Sequence, residues 1–346
     1  MIRVLVVEDS STARELLLGI LASEPLSFTV IGEAKNGLEA VEMTRRLRPD
    51  VVTMDIRMPL LDGLDATRRI MREAPTPVVV VSGSDVLEVH TSMEALRAGA
   101  LAVIEKPAGP AVPGFEERCR ALLQTVKLMA GVKVVRRFAE QTAPGQVALL
   151  PRIASEPRGR VQAIAIATST GGPAALQAIF SQLPGDFPVP ILVVQHMAKG
   201  FIGGLASWLG AASKLRVKIA EGDEPIARGA VYLAPDDRHL GVTSHGRIVV
   251  SPESPVNGFR PSGTFLFESA ARALGARALA VILTGMGRDG VEGLRRVKAL
   301  GGRVLAQDEA SSVVFGMPAA AIEAGLADEV VALDEMAGRL LAFAAA

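Results

Sequence analysis

The sequence has little cysteine, few aromatic residues and no excess of charge of either sign. Its single cysteine, Cys119, excludes an intramolecular disulfide and is typical of a protein from a reducing compartment. Only 4% of the 346 residues are aromatic, whereas 49% are hydrophobic, so the core must be largely aliphatic. The 37 basic and 37 acidic residues balance, which argues against nucleic acid as the main partner, because binding to phosphate backbones usually needs a basic excess.

Long apolar runs are absent as well. No run reaches the roughly 18 apolar residues that a membrane-spanning helix needs. Residues 1–8 form a strand-like run without the layout of a signal peptide. We therefore expect a cytoplasmic protein that does not insert into a membrane. The length predicts two domains, each large enough for its own core.

The first half of the chain, residues 1–125, alternates short β-rich runs with amphipathic stretches. The predicted strands are residues 4–7, 29–31, 51–54, 78–81 and 101–104. Strands spaced by helical patterns predict an α/β domain with a five-stranded parallel sheet, which is a flavodoxin-like fold. Residues 126–160 are basic, contain scattered proline and glycine, and are predicted to be a linker.

A second α/β alternation occupies residues 161–346. Its predicted strands are residues 162–167, 191–194, 230–233, 279–283, 303–306 and 329–332, with a hairpin formed by residues 240–243 and 248–251. This pattern predicts a doubly wound, mainly parallel α/β domain.

Three residues of the second half, Ser169, His196 and Asp289, each follow one of these predicted strands. The carboxyl ends of parallel strands share one edge of a sheet, where ligand sites form. Ser, His and Asp that meet there would make a nucleophilic triad. The turn at Ser169 approximates G-x-S-x-G, with Ala167 in place of the first glycine.

Each of the three residues also has a structural interpretation. The glycine-rich turn at Ser169 could equally be a capping and phosphate-binding turn, and a lone histidine such as His196 is more often an ordinary buried one. Asp289, followed by Glu292, fits a helix N-cap. The joint placement of the three residues on one sheet edge favours the triad.

Acidic residues gather at the corresponding edge of the first half. Glu8 and Asp9 close its first predicted strand and Asp55 closes the third, and these strand ends are neighbours in a small doubly wound domain. Carboxylates crowded in this way require a hard cation such as Mg²⁺. Ser82 and Lys106 add a hydroxyl and an ammonium at the next two strand ends, a set that suits phosphoryl transfer onto a carboxylate.

At these positions the first half resembles the receiver domain of two-component response regulators. The matching residues are Glu8-Asp9, Met54-Asp55, Pro59, Asp62-Gly63, Ser82-Gly83 and Glu105-Lys106-Pro107. The resemblance implies that Asp55 accepts a phosphoryl group, and that Mg²⁺ is held by Glu8, Asp9, Asp55 and the backbone carbonyl of Arg57. It also implies that Ser82 and Lys106 sense the phosphate and that the Lys106–Pro107 bond is cis. One departure is Val103, which stands where an aromatic switch residue is usual.

The second half resembles the catalytic domain of the CheB family, the chemotaxis protein-glutamate methylesterases. The order Ser–His–Asp along the chain differs from that of the α/β-hydrolases and favours this separate family. The matching segments are residues 169–173, 195–201, 231–235, 260–262, 283–290, 306–311 and 313–318. Met197-Ala198-Lys199 replaces the usual prolines and Gly263-Thr264 replaces a common Val-Asp, both expected near the substrate groove.

The resemblance implies hydrolysis of glutamate γ-methyl esters on the cytoplasmic helices of chemoreceptors, with deamidation of glutamine as a second activity. Ser169 would be the nucleophile, His196 the general base and then acid, and Asp289 the residue that orients the imidazole. The backbone N–H groups of Thr170 and Met286 would stabilise the oxyanion. The resemblance further implies chemoreceptors and a CheA-type histidine kinase as partners, and no cofactor in the esterase domain.

Two other functions are consistent with parts of the sequence. The second domain could bind a partner without catalysis, which activity of a Ser169→Ala variant would distinguish. A DNA-binding response regulator has the basic linker as its only support. For the esterase, we expect the unphosphorylated receiver domain to cover the triad and phosphorylation of Asp55 to favour an open form.

Overall fold

The computed structural model describes residues 1–83, 86–132, 134 and 160–345. Its first half is a sheet of five parallel strands in the order β2-β1-β3-β4-β5, which confirms the predicted flavodoxin-like fold. The strands are β1 Ile2–Val7, β2 Phe28–Ala34, β3 Val51–Met54, β4 Val78–Ser82 and β5 Ala102–Glu105. The helices are α1 Ser11–Ala22, α2 Gly37–Leu47, α3 Gly63–Glu73, α4 Val86–Arg97 and α5 Phe115–Met129.

The second half is a sheet of seven parallel strands in the order β14-β13-β12-β6-β7-β9-β8, as the predicted doubly wound fold requires. Its strands are β6 Ala163–Thr168, β7 Ile191–Gln195, β8 Arg216–Ile219, β9 Ala230–Leu233, β12 Ala278–Ile282, β13 Arg303–Gln307 and β14 Glu329–Val331. Strands β10 His239–Val242 and β11 Ile248–Ser251 pair separately as an antiparallel hairpin. The helices are α6 Gly172–Phe180, α7 Ile202–Ala212, α8 Gly263–Leu274, α9 Val291–Ala299, α10 Met317–Glu323 and α11 Leu333–Ala345.

The central strands are apolar because helices cover both faces of each sheet. Every residue of β4 (VVVVS) and of β6 (AIAIAT) is buried. Alanine alternates with isoleucine in β6, so the face that carries the small side chains allows a helix to pack closely. This packing holds the carboxyl ends of the strands, and the polar residues that follow them, in fixed positions.

Strand β8 was missed by the sequence analysis. Its residues Arg216–Ile219 alternate charged and apolar side chains, and it is the edge strand of the sheet, paired only with β9. A short edge strand needs little apolar character, so its pattern is weak. Helix α5 ends at Met129, inside the predicted linker, and residues 135–159 of that linker lie outside the described residues.

Helix α4 of the first half packs against α6 and α7 of the second half. One continuous hydrophobic cluster contains Met93 and Leu96 from α4 together with Leu205 and Trp208 from α7. The indole Nε1–H of Trp208 donates a hydrogen bond to Oε1 of Glu94 over 3.1 Å. Among the described residues, no helix combines the length and the apolar character that crossing a membrane would need.

Candidate active site

The three candidate triad residues lie at the carboxyl edge of the seven-stranded sheet. Ser169 follows β6 and His196 follows β7, the strand hydrogen-bonded to β6 on one side. Asp289 lies in the loop between β12 and α9, and β12 is the strand on the other side of β6. The parallel order of β12, β6 and β7 therefore brings together residues that are far apart in the sequence.

His196 and Asp289 form a direct pair. The imidazole Nε2 lies 2.9 Å from Oδ2 of the carboxylate, and the Asp289 side chain is fully buried. The same carboxylate accepts hydrogen bonds from the Ser262 hydroxyl at 2.7 Å and from the backbone N–H groups of Gly263 at 2.6 Å and Thr264 at 3.1 Å. Burial alone would raise the pKa of Asp289, but the imidazole and the other donors lower it to about 2. The carboxylate is therefore charged and fixed in orientation.

The orientation of His196 determines which of its nitrogens is available as a base. A carboxylate accepts hydrogen bonds, so Nε2 carries a proton and Nδ1 of the neutral ring is left with a free lone pair. Nδ1 is buried and has no hydrogen-bond partner among the described residues. The triad of the serine proteases has the opposite arrangement, in which the carboxylate pairs with Nδ1 and Nε2 faces the nucleophile.

Phe259 covers one face of the His196 ring. The two ring centroids are 4.5 Å apart and the planes are 12° from parallel. Phe259 is placed by a two-residue turn, because the residues before it, Asn257 and Gly258, both have positive φ and Val256 exchanges two backbone hydrogen bonds with Phe259. Asn-Gly is the preferred sequence for this turn, which makes Phe259 a fixed part of the site.

The turn that carries Ser169 packs closely on the loop after β12. The Ser169 N–H donates to the carbonyl of Thr284 over 3.1 Å, and a Cβ on Gly285 would lie 2.8 Å from the Cβ of Ser169. Ser169 itself is partly exposed, just before α6. Among the described residues, neither the N–H of Thr170 nor that of Met286 donates a hydrogen bond, and no hydrogen bond joins the Ser169 hydroxyl to His196. Such contacts often tighten only when substrate is bound.

The candidate phosphorylation site lies at the carboxyl edge of the five-stranded sheet. Carboxylate oxygens of Glu8, Asp9 and Asp55 lie within 4.8 Å of one another. The ammonium of Lys106 pairs with Glu8 at 2.8 Å and with Asp55 at 2.9 Å. Ser82 is buried at the end of β4, and Arg57 is exposed in the loop after Asp55. An all-oxygen set of three carboxylates suits Mg²⁺, and one lysine offsets only part of their charge.

Burial controls the ionisation of this acidic pocket. It raises the pKa of both Glu8 and Asp55, and the interactions with Lys106 only partly oppose that shift. Burial would lower the pKa of Lys106, but its hydrogen bonds to Glu8 and Asp55 raise it. The ammonium is therefore held close to the carboxylates of Glu8 and Asp55.

The expectation of a cis Lys106–Pro107 bond is wrong. Within the described residues the structure has one cis peptide bond, Arg260–Pro261, and the Lys106–Pro107 bond is trans. The trans form of an X–Pro bond is preferred by about 0.5–1 kcal/mol. With it, the Lys106 N–H donates to the Ser82 carbonyl at 2.8 Å while the side chain reaches Asp55.

Comparison with known proteins gives a family for both halves. A family model described as CheB methylesterase matches residues 164–340, and one described as response regulator receiver domain matches residues 4–112. The chain belongs to the CheB methylesterase family. Its first half is a receiver domain.

The similarity to individual CheB relatives extends over nearly the whole chain. The chain is 58% identical to protein-glutamate methylesterase/protein-glutamine glutaminase 4 of Myxococcus xanthus, covering 98% of this chain and 96% of the relative. It is 53% identical to protein-glutamate methylesterase/protein-glutamine glutaminase 3 of Anaeromyxobacter dehalogenans, covering 98% of each. The crystal structure of the Thermotoga maritima CheB methylesterase catalytic domain matches with a TM-score of 0.52 and 42% identity, covering 53% of this chain and 99% of that one.

Two departures from the expected motifs, at positions 167 and 263, prove to be in contact. A Cβ on Gly263 would lie 2.7 Å from the methyl group of Ala167, so the methyl group at position 167 fills space that a side chain at position 263 would need. Gly263 and Thr264 are both buried, and their N–H groups hold Asp289; that they lie near the substrate groove stays a prediction. With alanine at position 167, a side chain at position 263 would therefore force one of the two backbones to shift.

Three residues that contact the candidate triad were given no role by the sequence analysis, although two of them lie in segments that match the family. They are Gln195, Phe259 and Ser262, which contact the turn of Ser169, the ring of His196 and the carboxylate of Asp289 respectively. Gln195 lies in a segment that resembles the family, but as a polar residue at the end of a buried strand it gives no sign of what it contacts. Phe259 follows an Asn-Gly turn signal, but its contact with His196 depends on the path of the loop.

Proposed function

We propose that this CheB family member hydrolyses glutamate γ-methyl esters on the cytoplasmic helices of chemoreceptors and deamidates glutamines at such sites. The observation that carries the proposal is the buried His196–Asp289 pair beside Ser169 at the carboxyl edge of the sheet. The names of the relatives, which combine methylesterase and glutaminase, support the same substrate class.

In the first step, the Ser169 hydroxyl attacks the ester carbonyl carbon and Nδ1 of His196 takes its proton. The resulting imidazolium is stabilised by Asp289, whose low pKa keeps it ionised. When the tetrahedral intermediate collapses, the C–OCH₃ bond breaks and the imidazolium returns the proton, so methanol leaves and an ester of Ser169 remains. General acid–base assistance of this kind contributes about 10²–10⁴-fold.

The negative oxygen of the intermediate requires hydrogen-bond donors that are not already engaged. The backbone N–H groups of Thr170 and Met286 fit this role, because they flank Ser169 and donate to no described residue. Removal of one such donor costs on the order of 2.7–4 kcal/mol of transition-state stabilisation in a serine protease.

In the second step, water adds to the acyl-Ser169 ester with His196 again as the base. The products are the free glutamate carboxylate and the regenerated hydroxyl. A glutamine side chain would follow the same route, with ammonia instead of methanol as the first leaving group. One site therefore accounts for both activities in the names of the relatives.

The proposal is tested with methylated chemoreceptor membranes as the substrate. We expect the wild type to release methanol and to convert methylglutamate and glutamine into glutamate, as read by mass spectrometry of receptor peptides. Ser169→Ala should lose both conversions while still binding the receptor. If the variant retained either conversion at the wild-type rate, the triad would be wrong; if the wild type bound receptor without converting it, a partner-binding domain would be the better description.

We also propose that phosphorylation of Asp55, by a CheA-type histidine kinase, controls this esterase. Glu8, Asp9, Asp55 and the carbonyl of Arg57 would hold Mg²⁺, which when bound offsets charge on the transferring phosphoryl oxygens. Lys106 is already within hydrogen-bond distance of Asp55, and Ser82 lies at the end of the neighbouring strand β4. These two side chains would contact the phosphoryl group.

The contact between α4 and the esterase domain supports a route for this control. Helix α4 follows the strand that ends at Ser82, and it packs on α6 and α7, the helices that follow Ser169 and His196. Val103, at the position of the usual aromatic switch, is partly buried against the same cluster. A change at the phosphorylation site would therefore reach the esterase through the position of α4 rather than through an aromatic side chain.

Phosphorylation control predicts that acetyl phosphate with Mg²⁺ raises methanol release by the wild type and not by Asp55→Asn. A variant that lacks residues 1–150 should be more active than the unphosphorylated full chain. We place the receiver domain at residues 1–125, a linker at 126–160 and the esterase domain at 161–346. Equal or lower activity of the truncated variant would show that the receiver domain does not inhibit the esterase domain.

A further inference from the structure

The peptide group between Ser169 and Thr170 is held from its carbonyl side. In a trans peptide the carbonyl and the N–H point in opposite directions, so fixing the carbonyl of Ser169 also fixes the direction of the Thr170 N–H. The Ser169 carbonyl accepts two hydrogen bonds: one from the N–H of Gly172 at 2.9 Å, the other from the side chain of Gln195 at 2.7 Å.

Gln195 is placed so that only its amide nitrogen can face these acceptors. Its Nε2 donates to the carbonyl of Ser169 and also to the carbonyl of His196 at 2.8 Å. The reversed amide would set Oε1 against two carbonyl oxygens, so the hydrogen-bond pattern fixes the orientation. Gln195 is 3% exposed, and its side chain joins the turn after β6, which carries Ser169, to the turn after β7, which carries His196.

Gly172 provides the space for this side chain. A Cβ at position 172 would lie 2.1 Å from Oε1 of Gln195 and 2.4 Å from the hydroxyl of Thr168. The glycine at the start of α6 therefore allows the Gln195 amide to reach under the turn.

The second candidate oxyanion donor is held in the same way. The carbonyl of Gly285, on the other side of the peptide group that carries the Met286 N–H, accepts hydrogen bonds from Gly316 at 3.1 Å and Met317 at 2.8 Å. Both candidate donors thus belong to peptide groups whose carbonyls are doubly hydrogen-bonded. Hydrogen bonds to a carbonyl polarise the peptide and strengthen its N–H as a donor.

We propose that Gln195 is a positioning residue that holds the Thr170 N–H toward the developing oxyanion and polarises it. The two candidate donors differ in one respect. The carbonyl of the peptide group that carries the Met286 N–H accepts hydrogen bonds from backbone N–H groups alone, whereas that of the Thr170 peptide group also accepts one from a side chain, that of Gln195. The inference rests on the proposed esterase function of Ser169. It assigns the Gln195 side chain a role in that reaction.

The test replaces Gln195 by methionine, which has a similar length and no donor. With methylated chemoreceptor membranes as substrate, we expect Gln195→Met to lower kcat by about 10–100-fold with KM within about twofold of the wild type. The loss should be smaller than the 10²–10³-fold seen when an oxyanion donor is removed, because the Thr170 N–H is displaced rather than deleted. Phenylboronic acid, which forms a tetrahedral adduct with an active serine, should lose affinity by the same factor as kcat/KM falls.

A matched control is Ser269→Ala, in the same domain but away from the site. The Ser269 hydroxyl is buried and bridges the backbone of Val242 with two hydrogen bonds, at 2.8 and 3.0 Å, so its loss removes as many bonds as Gln195→Met does. It should lower the melting temperature with kcat unchanged. Gln195→Asn, which keeps the amide but shortens its reach, replaces Gln195→Met if the latter does not fold.

The outcomes separate this inference from the proposed function. If the wild type shows no release that depends on Ser169, the proposed function fails and this inference with it. If the wild type is active and Gln195→Met keeps its kcat, or loses no more than Ser269→Ala, Gln195 is structural and the inference alone is overturned. A rise of KM without a fall of kcat would overturn it as well, because the oxyanion exists only during the reaction.

Discussion

At the scale of single residues, the charge of Asp289 is the feature that most constrains the chemistry. Its carboxylate is buried, accepts four hydrogen bonds and has a pKa of about 2. A charged acid on Nε2 of His196 fixes the tautomer of the neutral imidazole, in which Nδ1 carries the free lone pair. Two predictions follow from this single carboxyl group.

The first concerns activity. Asp289→Asn should lower kcat by a factor on the order of 10⁴, because an amide N–H against Nε2 would force the imidazole proton onto Nδ1, the nitrogen needed as base. Methanol release at saturating receptor concentration measures it. A loss of less than tenfold would mean that the carboxylate does not fix the tautomer.

The second concerns stability against pH. A carboxyl whose pKa is lower in the folded state than in the unfolded state stabilises the fold above its ordinary pKa near 4, and that contribution is lost as the pH falls toward 2. The full contribution amounts to about 2 kcal/mol. The unfolding free energies of the wild type and Asp289→Asn should therefore converge on acidification; a difference that grows at low pH would contradict the assignment.

The stacked ring of Phe259 gives a third prediction at this scale. Phe259→Ala should lower kcat by about 2–10-fold, since an aromatic contact worth about 0.5–1.5 kcal/mol no longer holds the imidazole. The chain offers a matched control in Phe265, which stacks on His239 with centroids 4.6 Å apart and planes at 16°. Phe265→Ala should affect stability and not kcat. Equal effects of the two variants on kcat would show that the stacking on His196 has no special role.

The sequence reveals the residues at strand ends better than those that support them. Ser169, His196 and Asp289 could be proposed as a triad because strand ends in a parallel sheet share one edge. The contacts of Gln195 and Phe259 could not be assigned, since they depend on a rotamer and on the path of a loop. Neither the family segment that holds Gln195 nor the Asn-Gly turn before Phe259 specifies them. The roles of all these residues stay predictions until the variants are measured.

At the scale of secondary-structure elements, the contact between Ala167 of β6 and Gly263 of α8 gives a fourth prediction. Gly263→Ala should destabilise the fold by about 1–3 kcal/mol, because the new Cβ would lie 2.7 Å from the Ala167 methyl group and 3.4 Å from Asp289. In Ala167→Gly that space is open, so the double variant should regain most of the loss. A double-mutant cycle of unfolding free energies measures the coupling, and an interaction energy near zero would contradict it.

The elements themselves were predicted well where burial is continuous. Strands such as β3 and β9 were placed at their correct bounds, because buried parallel strands are short apolar runs between polar turns. The edge strand β8 was missed, and the two departures at positions 167 and 263 looked independent. Their contact joins a strand and a helix separated by about a hundred residues, which a single sequence does not reveal.

At the scale of the whole molecule, the hydrogen bond between Trp208 and Glu94 joins the receiver and esterase domains. Loss of one such bond changes an equilibrium by about 0.5–1.5 kcal/mol, so Glu94→Ala should raise methanol release without phosphorylation by about 2–10-fold. Glu94→Gln, which keeps the acceptor, should change it little. If both variants stay at the wild-type rate, this contact does not hold the inactive form.

The two-domain architecture was also predicted from the sequence, because each half shows its own alternation of strands and helices. The packing of α4 on α6 and α7 was not, since an apolar face on a helix does not specify which domain covers it. The expectation that the receiver domain inhibits the esterase by covering its triad is a prediction that the truncated variant tests.

The measurement that tests the central claim most directly asks whether Ser169 is acylated during the reaction. Methylated receptor membranes are treated with the wild type in neutral hydroxylamine, and receptor peptides are analysed by mass spectrometry. If an acyl-Ser169 intermediate forms, hydroxylamine should intercept it and the wild type should yield γ-glutamyl hydroxamate beside glutamate. Ser169→Ala should yield hydroxamate only at the uncatalysed background rate. Methanol release by the wild type with glutamate as the sole product would contradict the account, because it would mean that water attacks the ester without an acyl-enzyme.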